Sequence, residues 1–398
     1  MTIDQKTHNL KYKININVNE NYKEIVINEV KYKYILKLSD QHFNKIDPKI
    51  LINKIISDDS FQEYIFDLDL NFYLIIWSDN FLFCTVDHVC SYQLLYEINN
   101  NKINIKNNIS SIKLKKNKFV EKFIYYSGYS IGNQTLYNEL KSLLPCEYIL
   151  YKNENLKLDK YYNTDYKYQT EANKIEKLEE TISKLFNNLK QKYNDCNIII
   201  PLSAGMDSRL ILSALKYFNF NKIKLFTHYF LNRKDQRVAY QISKYLNYPI
   251  EFVNLKINDC KKIYRSENFN KYLDYNLTGN SINNHGDYIS VQKLIKNRFI
   301  DLKTDVIMNG QSGDFITGNH IPLFLFEDKN NSIDKLLEKT LNYIIFKHYN
   351  LWSEKEINKD QMIIRDHIKK LYFNKISTRD EIISMYEKFE FENRQVKW

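Results

Sequence analysis

Two periods of apolar residues divide the chain. From residue 14 to 38 apolar and polar positions alternate (I-N-I-N-V-N, K-E-I-V-I-N-E-V, Y-K-Y-I-L-K-L), which predicts half-buried antiparallel strands. Residues 49–56 predict a short helix, and 64–68, 72–77 and 81–87 read as strands separated by Asp and Asn turns. Further strands are expected at 93–96 and 102–105, a helix at 118–126, a loop from Gly128 onward, and a last hairpin from 146–151 and 155–162. The period then lengthens. Ile175, Leu178, Ile182, Leu185, Phe186 and Leu189 recur at helical spacing between 171 and 193. Strands at 198–202, 222–228, 250–255 and 305–308 alternate with helices at 207–218, 236–246 and 287–297, the order of βα units in a parallel sheet. Residues 332–398 are helical in pattern and are expected to pack on that sheet. The fold class is therefore α/β plus α+β. An antiparallel, β-rich domain covers 1–163, and a doubly wound parallel-sheet domain with a helical carboxyl-terminal part covers 168–398.

Composition narrows the class. The chain has 398 residues, too many for one ordinary core, and 43% of them are hydrophobic, enough for two. No apolar run reaches the length of a membrane span and the first residues are polar, so no membrane partner and a cytoplasmic location are expected. Five scattered cysteines give neither a disulfide framework nor a zinc spacing. The net charge of +10 is spread along a Lys-rich chain, without a dense basic run interleaved with aromatics beyond 113–118, so a nucleic-acid partner is not favoured. Glycine is more telling. Only eight occur, none among the first 127 residues, yet four fall in the windows 203–208 and 309–318. Backbone freedom or close approach is needed there.

The first window continues a buried-strand run, N-I-I-I-P-L-S-A-G-M-D-S, straight into the amphipathic helix that follows. A tight strand-to-helix turn aims free backbone N–H groups and a positive helix end at one spot, which suits phosphate. Ser203 and Ser208 add hydroxyls, Gly205 allows close approach, and Asp207 is an acid that can hold the Mg²⁺ accompanying a polyphosphate. There is no G-x-x-x-x-G-K-[ST]. The bland alternative is an ordinary βα turn whose Asp and Ser cap a helix. The second window, N-G-Q-S-G-D-F-I-T-G-N-H, follows the strand at 305–308. Loops at the carboxyl ends of parallel strands share one crevice, so Gly310 and Asp314 are expected to converge with Asp207 and with Thr227. His228, His320, Glu251 and Asp235 are read as satisfied, exposed or capping residues.

These segments resemble the asparagine synthetase family. L-S-A-G-M-D-S-R is similar to its pyrophosphate-loop motif S-G-G-x-D-S, and the second window to its S-G-E-G-S-D-E-L-F-G-G-Y. The strand run 72–96 and the segment 135–162 are similar to its glutaminase (Ntn-type) domain, so nearly the whole chain is covered. The resemblance implies an ATP-dependent ligase that adenylates a small-molecule or peptide carboxylate, releases pyrophosphate and AMP, and forms an amide with ammonia or an amine. It implies that Ser203, Gly205, Asp207, Ser208 and Gly310 bind ATP, that Leu202 and Thr227 line the nucleotide pocket, and that Asp207 and Asp314 hold Mg²⁺.

Three departures qualify it. Thr2, not Cys, follows Met1, so glutamine hydrolysis is expected to be lost. Ala204 replaces the first motif glycine, while Gln311 and Phe315 replace both glutamates of the later motif, which implies an acceptor bound differently from aspartate. Family members resembling this one continue with helical sequence carrying a lysine that faces the acyl-adenylate; this chain stops at E-N-R-Q-V-K-W and is expected to be either a truncated product or a natural short form. Two other readings stand beside the ligase. One is an ATP-binding relative without turnover. The other is a nucleic-acid-modifying adenylase, for which the paired cysteines are missing.

Overall fold

Alternation in the first part of the chain resolves into strands β1 (Lys13–Asn17), β2 (Lys23–Ile27), β3 (Val30–Leu38), β4 (Phe72–Ser78), β5 (Phe81–Val86), β6 (Leu95–Asn99), β7 (Lys102–Lys106), β8 (Lys141–Ser142), β9 (Glu147–Lys152) and β10 (Asn155–Lys160). Helices α1 (Pro48–Ser57), α2 (Phe61–Phe66) and α3 (Lys118–Ser127) lie among them. The structure is a computed structural model and describes residues 11–38, 47–57, 61–68, 70–99, 101–109, 115–163, 174–229, 234–275, 279–282, 285–328, 330–352 and 355–397. Contacts divide the chain into two compact units: Met1–Tyr168 with Leu273–Asn283 and Pro322–Trp398, and Gln169–Tyr272 with Asn284–Ile321.

In the first unit a six-stranded antiparallel sheet, ordered β10-β9-β5-β4-β3-β2, is apolar on both faces. Phe72, Leu74, Ile76, Phe81 and Phe83 pack with Leu51, Ile52 and Ile55 of α1 and with Phe61 and Ile65 of α2. Tyr73, Ile75, Leu82, Cys84 and Val86 face the other way, onto Tyr96, Ile103 and Ile105 of a second sheet ordered β1-β7-β6-β8. Period-two alternation with a core on each side gives a helix, sheet, sheet layering. Scarce glycine is no obstacle to its turns. The β2–β3 and β9–β10 hairpins close through Asn28–Glu29 and Asn153–Glu154, all four at positive φ, as a two-residue turn of mirror-image hand requires.

Three expectations are corrected here. Residues 64–68 are not a strand; they end α2, because Phe61 and Ile65, four apart, share one buried face. β1 pairs parallel, not antiparallel, with β7. Residues 332–398, expected to pack on the parallel sheet, group with the first unit, where polar side chains tie them to its strands and loops. The π-helical turn Phe391–Gln395 buries Glu392 and Asn393. Glu392 pairs with Lys160 Nζ at 2.7 Å, and Asn393 Oδ1 accepts from the Gly132 N–H at 2.6 Å. Lys397 donates to the Ser130 and Gly132 carbonyls at 2.9 and 2.6 Å. Burial brings its ammonium pKa down to about 7.

The second unit runs α4 (Lys174–Tyr193), β11 (Asn197–Pro201), α5 (Met206–Tyr217), β12 (Ile223–Tyr229), α6 (Lys234–Leu246), β13 (Ile250–Asn254), α7 (Ile257–Tyr264), α8 (Glu267–Tyr275), α9 (His285–Lys296), β14 (Asp305–Ile307) and the single turn α10 (Gly313–Ile316). Helices α7 and α8 were not foreshadowed by the pattern. The remaining helices, α11 (Phe324–Glu327), α12 (Ile333–His348), α13 (Lys359–Tyr372) and α14 (Arg379–Glu390), lie in the first unit, where α13 meets α3. The sheet of the second unit is all parallel and ordered β13-β12-β11-β14. Ile198 and Ile200 face Phe186, Leu212, Leu215 and Ala239, whereas Ile199 faces Val253, Leu294 and Ile300. Helices cover both faces, which is why β11 is a continuous apolar run. The chain winds from β11 to β12 and β13 in one direction and returns to β14 on the other side. The carboxyl end of β11 therefore lies at the topological switch point, where open parallel sheets bind ligands.

Candidate active site at the carboxyl edge of the parallel sheet

Leu202 closes β11, buried, with its N–H on the Phe226 carbonyl at 2.8 Å, which sets it beside Thr227, itself buried on β12. From there the chain turns sharply into α5. Three turn amides take internal acceptors. The Ser203 N–H donates to Ser208 Oγ at 3.1 Å, the Gly205 N–H to Ser203 Oγ at 3.1 Å, and the Ala204 N–H to Asp235 Oδ1 at 2.6 Å. The two serine hydroxyls are 3.1 Å apart. Gly205 is the N-cap of α5 and offers no side-chain acceptor, so the first-turn amides of Met206, Asp207 and Ser208 are left to a partner from outside the helix.

The second glycine window lies directly on this helix start. A Cβ on Gly310 would come within 2.6 Å of both the Asp207 carbonyl carbon and the Ser208 nitrogen. One on Gly313 would fall on the Asp207 carboxylate, 2.5 Å from its Cγ. Only glycine allows this approach, which accounts for Gly310 and Gly313 in the second window. Ser312, between them, takes a left-handed conformation with φ of 74° to start α10. Asp207 is half-buried, and among the described residues its carboxylate has neither a hydrogen-bond nor an ion-pair partner. Asp314 follows Gly313, is exposed, and accepts from Asn319 Nδ2 at 3.1 Å. His320 is buried against the Phe315 ring, with its Nδ1 at 3.1 Å from the Asp314 carbonyl oxygen, and braces the turn.

The structure thus gathers Leu202, Ser203, Gly205, Asp207, Ser208, Thr227 and Gly310 at one edge, with Asp314 one residue beyond the glycine that touches Asp207. Two residues are additions to that set. Asp235 reaches the turn from the first turn of α6, and the exposed Arg209 folds its Nε back onto the Gly205 carbonyl at 3.1 Å. Position could have flagged Asp235, since the helix following β12 begins at the same sheet edge. Among the described residues no three His, Cys, Asp or Glu side chains cluster to hold a metal. One or two carboxylates are what Mg²⁺ takes when phosphate oxygens and water complete its shell; the unpartnered Asp207 carboxylate is a donor of that kind, while the exposed Asp314 carboxylate accepts from Asn319.

No family model matches the chain, and no curated protein matches its sequence. Among solved structures it is similar to an NH3-dependent NAD synthetase from Campylobacter jejuni subsp. jejuni NCTC 11168 in complex with the nitrate ion. That likeness has 12% identity and a TM-score of 0.27, over 52% of this chain and 98% of the other. A glutamine-dependent NAD+ synthetase from Acinetobacter baumannii in complex with ADP aligns at 9% identity and a TM-score of 0.26, over 67% of this chain and 63% of its own.

Proposed function

We propose that the chain is an ATP-dependent ligase that adenylates a substrate carboxylate, releases pyrophosphate, and passes the acyl group to ammonia or an amine to form an amide. The observation that carries this reading is the Asp207 carboxylate, unpartnered at the switch point and fenced by two glycines from a window about a hundred residues downstream in the sequence. An unpaired carboxylate at that edge is a group that an incoming cation can meet. In the proposal the α5 amides and the Ser203 and Ser208 hydroxyls bind the phosphates, while Leu202 and Thr227 wall the nucleotide. Asp207 and Asp314 would hold Mg²⁺, which when bound neutralises charge on the phosphate oxygens. The chain's part is then positioning and electrostatics, with no covalent nucleophile.

The amino-terminal sheets are proposed to be a glutaminase-like domain without its hydrolytic activity. Cys84, Cys90 and Cys146 are all buried, and burial pushes their thiols up, to about 12 for Cys84 and about 11 for Cys146. None is a reactive thiolate. The nitrogen would come from free ammonia or from an amine on a second substrate.

A second reading has one observation in its favour. Three turn amides already hold internal acceptors and are not free for phosphate, which favours a relative that no longer turns ATP over. ATP–pyrophosphate exchange with a panel of carboxylates separates the two. The ligase predicts Mg²⁺-dependent exchange with at least one acid, abolished in Asp207→Ala. ATP binding without exchange on any acid would support the second reading, and exchange undiminished in Asp207→Ala would sink the assignment of the site.

A further inference from the structure

We propose that Asp235 is a positioning residue for the phosphate-binding turn. Its carboxylate pins Ala204, so that the amides presented to an anion are those of Met206, Asp207 and Ser208. The inference rests on the nucleotide reading of 203–208 given above and deepens it.

Among the described residues, Ser203 and Gly205 are held by serines of the turn itself, at most five residues away. Asp235 is thirty-one residues from Ala204 and belongs to α6. It is the side-chain tie that fixes the turn to a neighbouring βα unit. At 2.6 Å, with an ionised acceptor, the bond is of the strong charge-assisted kind. It is also the only hydrogen bond of the Asp235 carboxylate among the described residues, so that carboxylate is spent on the turn rather than on capping its own helix. Ala204 cannot be held in this way by its own methyl side chain. Without Asp235 the peptide between Ser203 and Gly205 is free to rotate, and the serine hydroxyls lose the frame that orients them. Two other roles make opposite predictions. A resident anion that blocks the seat would, on removal, tighten phosphate binding. A ligand to a metal would need its charge, whereas a tether needs only an acceptor oxygen, which Asn keeps.

The test is equilibrium binding of Mg·ATP by the full chain, with Asp235→Ala, Asp235→Asn and Asp235→Ser beside wild type and Asp207→Ala, each checked for an unchanged fold by circular dichroism. The tether predicts affinity weaker by about tenfold or more in Asp235→Ala, the scale of one charge-assisted hydrogen bond, with most of the loss recovered in Asp235→Asn. Asp235→Ser, too short to span the gap, should behave like Asp235→Ala and carries the comparison if that variant does not fold. Unchanged or tighter binding in Asp235→Ala and Asp235→Ser would overturn the proposal, as would a loss in Asp235→Asn equal to that in Asp235→Ala. If wild type binds no Mg·ATP, the nucleotide reading fails and this inference with it. If wild type binds and Asp207→Ala does not, while Asp235→Ala binds normally, only the tether fails.

Discussion

The two edges of the parallel sheet use the same residue type in opposite ways. At the amino edge Asp305, its side chain fully buried, accepts from Asn197 Nδ2 at 2.6 Å, the Asp301 N–H at 3.0 Å, Thr304 Oγ1 at 2.9 Å and Lys224 Nζ at 3.2 Å. At the carboxyl edge Asp207 has no partner among the described residues and lies against Gly313. One carboxylate is saturated by its own fold and the other is reserved. A fold places a partnered acid where it needs stability, and leaves an acid unpartnered where a cation is to arrive.

The largest effect should come from exchanging those fates. Asp207→Ala is expected to reduce ATP–pyrophosphate exchange by about a hundredfold or more, while the melting temperature stays within a degree or so, because no hydrogen bond or ion pair among the described residues is lost. Asp305→Ala should do the reverse. It strands Asn197, leaves Lys224 with only the Phe299 carbonyl among the described residues, and should cost about 2–4 kcal/mol in urea unfolding, with Mg·ATP affinity of the folded fraction retained. If both variants lose activity and stability together, the contrast between the edges is wrong.

The glycines sharpen it. Gly310→Ala drives a Cβ into backbone, which cannot yield, and should destabilise the second unit by about 1–3 kcal/mol in chemical denaturation. Gly313→Ala meets the Asp207 side chain first, so its effect should fall on nucleotide affinity, about tenfold in titration calorimetry, more than on stability.

A smaller effect is expected from acid. Burial alone would raise the Asp305 carboxyl, but hydrogen bonds from Asn197, the Asp301 N–H, Thr304 and Lys224 outweigh it and hold it below its ordinary value of 3.8. A depressed folded value adds stability above the unfolded pKa, and that stability is lost as pH falls through the folded one. The urea midpoint should therefore drop below about pH 4, and that part of the drop should vanish in Asp305→Asn. The smallest change is expected from Arg209→Ala, an exposed side chain on the Gly205 carbonyl, with KM for ATP rising about two- to fivefold.

Much of this was legible in the chain. Ile198, Ile199 and Ile200 announced a strand covered on both faces, and glycines at 205, 310 and 313 marked the two segments that touch. What escaped has physical causes. A run as short as residues 64–68 fits strand or helix, and only the packing of Phe61 with Ile65 decides. The pairing of β1 with β7 joins segments some ninety residues apart and has no local signature. The seat of the carboxyl-terminal helices is set by Lys160, Ser130 and Gly132, which no periodicity in 332–398 can foretell. Asp235 looked like a cap because its partner, Ala204, is distant in sequence.

The proposed ligase needs the α5 start and the 310–314 segment to form one seat for an anion and its metal. Amide hydrogen exchange with and without Mg·ATP reads out that seat. Protection should rise in peptides covering 203–208 and 309–314 and leave the amino edge around Asn197 and Asp305 unchanged. Protection absent from both windows, or arising only in the antiparallel sheets, would contradict it.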